Sequence, residues 1–147
     1  GLVDPGDDAI LYAAEISGLQ QALIAKHPMG LQCPIAEGGT GLSGGQKQLV
    51  NLTKVFLRQP KIWLLDEPTA SIDRTFELKV TAALKQNIKS DNTLVLITHK
   101  PEMLSLVDRV IVVVDNKIML DGPKEPVLQK LQEKTQQAAQ NATGVTS

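Results

Sequence analysis

A chain of 147 residues fits one domain or part of a larger one, and 42% apolar residues are enough for a buried core. The net charge of −1, with no long run of one sign, argues against a nucleic-acid partner, whose surface would carry a basic patch. The single cysteine, Cys33, excludes an internal disulfide and suits a reducing compartment. No apolar run approaches the roughly 18 residues that span a bilayer, and no secretory signal opens the chain. We therefore expect a soluble cytoplasmic chain or a soluble piece of a larger protein.

The first part of the chain is predicted to be mostly helical. "DPGDDAILYAAEIS" has a helical period, and Asp7 or Asp8 would be the cap. "GLQQALIAK" predicts a shorter second helix, and a loop rich in glycine and proline follows it. A third helix begins after Gly44, with apolar residues at steps of three and four. It should end before Pro60, because the residue preceding a proline avoids helical angles.

The pattern then changes to alternating strands and helices. The apolar run from Ile62 to Leu65 is short and continuous, which is typical of a parallel strand covered on both faces. "SIDRTFELKVTAALKQNIK" restores the helical period, with Asp73 as N-cap, and "TLVLITH" predicts a second buried strand. "RVIVVVDNKIMLDG" predicts two strands joined by a hairpin turn at Asp115-Asn116, and a helix follows them.

These elements predict an α/β fold. A helical subdomain covers residues 1–60. Residues 61–134 hold a sheet with a parallel core, flanking helices and a C-terminal hairpin. Residues 135–147 have little to bury, and we expect them to form a frayed tail.

Two acids, Asp66 and Glu67, directly follow the first apolar strand. Ligands of parallel α/β sheets bind beyond the carboxyl ends of the strands. There Asp66 could hold Mg²⁺, usually through water, and Glu67 could orient a water for attack on a γ-phosphate. His99 ends the second strand and, if the strands are neighbours, reaches the same edge as Glu67. An acidic turn and a strand-end histidine bonded to backbone are the structural alternatives.

The stretch "LSGGQ" (42–46) stands at the start of the third helix. A helix N-terminus has unpaired amides and a partial positive charge. The glycines let a phosphate approach the backbone, and Ser43 adds a hydroxyl donor, so the stretch predicts an anion site. A serine-capped helix with a flexible entry is the alternative.

Four motifs in this order and spacing resemble the ATP-binding cassette (ABC) ATPases over nearly the whole chain, up to about residue 131. They are "LSGGQ" (42–46), "IWLLDEPTAS" (62–71), "SIDR" (71–74) and "ITH" (97–99). The resemblance implies the C-terminal part of an incomplete P-loop NTPase-type domain. Residues 1–60 would be its helical signature subdomain, and residues 61–134 would be part of the RecA-like ATPase core.

The resemblance also implies a role for each matching position. Ser43, Gly44, Gly45 and Gln46 match the signature motif, which contacts the γ-phosphate of ATP bound to the opposite subunit. Asp73 matches the acid of the D-loop, which reaches across the dimer. A second nucleotide-binding domain is therefore an implied partner.

In the same way Asp66 matches the Walker B aspartate that positions Mg²⁺. Glu67 matches the catalytic glutamate, and His99 matches the switch histidine. ATP and Mg²⁺ are the implied substrate and metal. Glu37 and Gly39 match a loop of the exporter class that touches the coupling helices of the membrane domain. The run "GGTGLSGGQKQ" is most similar to the ATPases of type I secretion systems.

No G-x-x-x-x-G-K-[ST] motif occurs in the chain. Because that loop supplies most of the phosphate binding in such enzymes, we expect this chain alone to bind ATP weakly and to hydrolyse it negligibly. The parent would be an ATP hydrolase at the inner face of the cell membrane. An unpaired sheet edge predicts self-association. The alternatives are a non-transport ABC ATPase and a non-catalytic module that donates its signature helix to a partner.

Overall fold

The computed structural model describes the backbone of residues 5–143 and the side chains of residues 5–137. The chain divides after Leu106 into two compact units. The predicted subdomain boundary at residue 60 stays a prediction, and the elements on either side of it lie in the same unit. In chain order the elements are α1 (Asp7–Ser17), α2 (Leu19–Ala22), α3 (Gly44–Arg58), β1 (Ile62–Asp66), α4 (Arg74–Asn87), β2 (Thr93–Ile97), β3 (Arg109–Val114), β4 (Lys117–Pro123) and α5 (Lys124–Thr143).

The helices of the first unit differ from the predicted ones at two places. Gly6, not an aspartate, is the N-cap of α1, and it makes no side-chain cap. Asp7 and Asp8 lie in the first turn of α1, where their charge complements the helix dipole. The predicted second helix is interrupted, because Leu23 leaves helical angles and a 3₁₀ turn follows it.

Helix α3 presents one apolar face to the core of the first unit. Its buried residues are Leu49, Leu52, Thr53 and Phe56. Helix α1 packs against α3 and α4, and the ring of Phe56 meets that of Trp63 edge-on at 6.1 Å. The helix ends before Pro60, as predicted, with Gln59 in the left-handed conformation.

Strands β1 and β2 pair in parallel, as predicted, and Asp66 stands opposite Ile97 in the register. Alternate side chains of a strand point to opposite faces. Trp63 and Leu65 are buried, whereas Ile62 and Leu64 are 61% and 73% exposed. The prediction of a strand covered on both faces is therefore wrong for the described residues, since the helices of this unit bury one face only.

The second unit is a hairpin followed by a helix. Strands β3 and β4 are antiparallel and turn at Asp115 and Asn116, whose φ angles of 48° and 58° suit a type I′ turn. Helix α5 continues through residues 135–143, where we expected a frayed tail. Its described part is rich in lysine, glutamate and glutamine, which favour a helix without burial. Residues 144–147 lie outside the described residues.

Across residues 5–143 no helix is both long enough and apolar enough to cross a membrane. The sheet of the first unit has two strands, so each strand keeps one unpaired edge within the described chain.

Candidate functional site

Glu67 and His99 meet at the carboxyl edge of the parallel strands. Because β1 and β2 are paired, the residues that follow them emerge side by side. The Nδ1 atom of His99 lies 2.8 Å from Oε1 of Glu67. The imidazole is largely exposed, and the carboxylate is one-third exposed. The pair therefore faces solvent at the edge where ligands of such sheets bind.

The backbone of Glu67 is held in a left-handed conformation, with φ of +44°. For a residue with a side chain this costs roughly 1–2 kcal/mol. Such strain persists only where the surrounding structure enforces it, and it is concentrated at functional sites. Here the Glu67 amide donates to Ile97, and its carbonyl accepts from the amide of Ala70 and from the side chain of Gln48.

The two carboxylate oxygens of Glu67 differ in their surroundings. Oε1 bonds His99, but Oε2 is buried and accepts no hydrogen bond from the described residues. Buried polar atoms are paired in the great majority of cases, so each exception needs an explanation. A carboxylate oxygen with free lone pairs is suited to accept a proton or a hydrogen bond from a bound water.

Asp66 ends β1 with an exposed side chain. Among the side chains of residues 5–137, none bonds its carboxylate, and no cluster of three or more metal-binding side chains occurs. Mg²⁺ commonly takes one or two carboxylates and completes its shell with water and substrate phosphates. A single free carboxylate therefore fits Mg²⁺ only together with a phosphate ligand.

The signature stretch forms a capping box at the start of α3. The Ser43 hydroxyl accepts from the Gln46 amide at 3.2 Å, and Gln46 Oε1 accepts from the Ser43 amide at 2.9 Å. The Gln46 side chain also donates to the carbonyl of Ala22. Gln46 is thus engaged in the helix start, while Gly44 is exposed and Gly45 half-buried. Their amides are among the first of the helix, which have no intrahelical acceptor.

Asp73 caps helix α4, as predicted. Its Oδ1 accepts from the amides of Thr75 and Phe76 at 2.9 and 3.1 Å. Asp73 also lines a groove of about 200 Å³ together with Ser43 and Gly45. The structure therefore brings Ser43, Gly45 and Asp73 together at one groove.

Two further charged residues of the first unit, Glu37 and Arg74, are exposed. Glu37 begins a 3₁₀ turn, Glu37–Gly39, and is exposed. Arg74, which follows Asp73, pairs with Glu102. The hydrogen bond from the Arg74 guanidinium holds the pKa of the Glu102 carboxyl below its ordinary value. Both partners of that pair are at the surface, so the pair orders the surface beside the groove without burying charge.

Sequence reasoning missed three polar residues that hold the site in place. Gln48 bonds the turn after β1. Lys100 and Glu77 form a mostly buried ion pair beside that turn. The available signal for two of them was their closeness in sequence to predicted site residues. Gln48 follows the signature stretch by two residues, and Lys100 directly follows His99.

Comparison with known proteins gives the family context. The family model described as "ABC transporter" matches residues 14–70. The chain is 35% identical, over 85% of its length, to the ATP-dependent lipid A-core flippase of Neisseria meningitidis serogroup B. It is 32% identical, over 88% of its length, to ATP-binding cassette sub-family B member 6 of Rattus norvegicus. It spans 20% and 15% of the length of these two relatives.

The fold matches a solved structure described as a bacterial Atm1-family ABC exporter with ATP bound. The TM-score is 0.76 and the identity 24%, over 98% of this chain and 24% of that chain. This match confirms the predicted α/β fold of an incomplete P-loop NTPase-type domain. The chain is therefore similar in sequence to ABC transporters, the ATP-dependent lipid A-core flippase among them.

Proposed function

We propose that this chain is the C-terminal part of the nucleotide-binding domain of an ABC exporter, whose parent hydrolyses ATP to drive transport. The observation that carries the proposal is the Glu67–His99 pair, 2.8 Å apart and open to solvent at the carboxyl edge of two parallel strands. This is the arrangement that positions a water for attack on a phosphate.

In this proposal Glu67 is the base. His99 holds the carboxylate at the sheet edge, where its exposed part accepts a hydrogen bond from the attacking water and then its proton. When Nδ1 of His99 donates to Glu67, its Nε2 donates to a phosphate oxygen only in the protonated imidazole. Asp66 would hold Mg²⁺, which when bound neutralises charge on the phosphates.

The groove residues serve a second copy of the domain. The amides of Gly44 and Gly45 and the hydroxyl of Ser43 would donate to the γ-phosphate of ATP held by the partner. Asp73, beside them in the groove, would face the same partner. The engagement of Gln46 in the capping box supports a role in shaping the helix start, in place of direct phosphate contact.

The remaining assignments extend the proposal to the parent protein. The exposed Glu37 turn would contact the membrane domain, which places this domain at the cytoplasmic face of the membrane. Self-association of the isolated chain through its unpaired sheet edge is also proposed, and light scattering would test it. The finer assignment to type I secretion rests on "GGTGLSGGQKQ" alone and stays a prediction.

ATP hydrolysis by the full-length protein that contains this chain tests the catalytic role. Glu67→Gln removes the base while keeping size, and we expect kcat to fall on the order of 100-fold or more with ATP binding retained. Glu125→Gln is the matched control, because Glu125 is exposed and lies outside the site; its kcat should equal that of the wild type.

The same assay separates the alternatives. Full activity of Glu67→Gln, combined with loss of activity on Ser43→Arg, would refute the catalytic role and support the donor-module alternative. Crosslinking from Glu37→Cys to a membrane segment separates a transporter from a non-transport ATPase. Absence of that crosslink in active protein would count against export.

A further inference from the structure

Gln48 bonds two residues of the turn after β1, Glu67 and Ser71, with the two ends of its carboxamide. Its Nε2 donates to the carbonyl of Glu67 at 2.9 Å, and its Oε1 accepts from the amide of Ser71 at 2.8 Å. The Glu67 carbonyl can only accept and the Ser71 amide can only donate, so the two partners fix the orientation of the carboxamide. Gln48 lies on α3, one turn from the glycines of the signature stretch.

The helix that carries Gln48 also packs closely on the same segment. A Cβ added to Gly45 would lie 2.7 Å from the backbone oxygen of Ser71. The start of α3 therefore touches Ser71 through Gly45 and bonds it through Gln48. The turn after β1 and the helix start consequently form one connected unit.

The turn needs such support because Glu67 is strained. Its φ of +44° is unfavourable for a side-chain residue, and its carbonyl has two donors, Ala70 and Gln48. The Ala70 bond is local to the turn. Of the two bonds to this carbonyl, the Gln48 bond is the one that comes from outside the turn.

We propose that Gln48 is a positioning residue that sets the Glu67 carboxylate for hydrolysis and couples it to the signature helix of its own subunit. The inference rests on the proposed function. In a dimer the signature helix contacts the partner's ATP, whereas Glu67 serves its own. Gln48 then supplies the hydrogen bonds that connect the two ATP sites within one chain.

The substitution Gln48→Met tests this, because methionine keeps the length of the side chain and removes both hydrogen bonds. In the full-length protein we expect kcat to fall on the order of 10- to 100-fold, since a small displacement of a catalytic group has effects of that size. KM for ATP should stay within about twofold of the wild type. Gln86→Met is the matched control, because Gln86 is exposed on α4, and it should behave as the wild type.

Mixed dimers separate positioning from a general defect. One dimer carries Gln48→Met and Glu67→Gln in the same subunit, and the other carries them in opposite subunits. If Gln48 positions its own Glu67, the first dimer keeps one intact base and the second keeps none. At least tenfold lower activity of the second dimer supports the proposal. Equal activities above that of the Glu67→Gln homodimer, or lower activity of the first dimer, would overturn it.

If one Glu67→Gln subunit abolishes hydrolysis at both ATP sites, hydrogen exchange of the Ser71 amide tests the role of Gln48 instead. In the Gln48→Met homodimer the Ser71 amide should exchange at least tenfold faster, with an unchanged melting temperature and a lower kcat. Wild-type exchange at Ser71, or wild-type kcat, refutes the role of Gln48. Normal hydrolysis by the Glu67→Gln homodimer is a different failure, because it refutes the proposed function and leaves the Ser71 result standing.

Discussion

Removing the charge of Lys100 should expose how much the first unit depends on one buried ion pair. Lys100 Nζ lies 2.6 Å from Glu77 Oε2 and 2.7 Å from the Thr69 carbonyl. The side chains of Lys100 and Glu77 are only 17% and 6% exposed. The pair thus joins helix α4, the turn after β1 and the segment after β2. The substitution Lys100→Met keeps the stem and removes the ammonium.

The expected size of the effect follows from the geometry. Two unit charges 2.6 Å apart attract by roughly 6 kcal/mol at an effective dielectric constant of about 20. Desolvation of both groups offsets much of that attraction, and breaking a buried pair typically costs about 3–5 kcal/mol because one charge is left unpaired. Arg74 remains 3.7 Å from Glu77, so we expect the lower end, about 3 kcal/mol.

Urea unfolding of the chain, followed by circular dichroism, measures this change. The double variant Lys100→Met/Glu77→Leu removes both charges, and it should recover to within about 1 kcal/mol of the wild type, since buried pairs and apolar replacements are often equivalent. A loss below about 1 kcal/mol in the single variant would refute the reasoning. So would a double variant as unstable as the sum of the two single variants.

Three smaller effects follow from other contacts. Gly45→Ala should lower the free energy of unfolding, measured by urea unfolding, by about 1–3 kcal/mol, because the alanine Cβ would lie 2.7 Å from the Ser71 backbone oxygen. An unchanged free energy of unfolding would contradict this. Asp73→Ala should cost about 1 kcal/mol by loss of the α4 cap, and an unchanged urea midpoint would contradict this. The Lys61 hydrogen bond holds the pKa of Asp91 below its ordinary value of 3.8. The stability from that depressed pKa is present above about pH 4 and lost as pH falls through the lower folded-state pKa. In acid titrations followed by circular dichroism, Asp91→Asn should therefore remove part of the acid-side loss, and an identical acid limb would contradict this.

Local signals in the sequence predicted the elements whose structure depends on near neighbours. The Asp115-Asn116 turn follows from the tolerance of these residue types for positive φ. The cap at Asp73 and the end of α3 before Pro60 also follow from short-range rules. The parallel pairing that joins Glu67 to His99 followed from two apolar runs that each end in polar residues.

Contacts distant in sequence could not be read in the same way. The bond between Gln48 and Ser71 spans 23 positions, and a half-buried glutamine on a helix gives no sign of its partner. Burial was misjudged for a related reason. An apolar run such as Ile62 to Leu65 indicates that the segment forms a strand. The exposure of its side chains depends on which elements pack against each face, and Leu64 stays exposed in the described chain.

The left-handed backbone conformation of Glu67 lowers stability at the residue whose side chain the proposed hydrolysis requires. Glycine would adopt that conformation more readily than glutamate by about 1 kcal/mol. Glycine would also remove the carboxylate that the proposed hydrolysis requires. A selection for thermostability alone would therefore favour variants without that carboxylate, so residue 67 should be kept unchanged when the domain is stabilised.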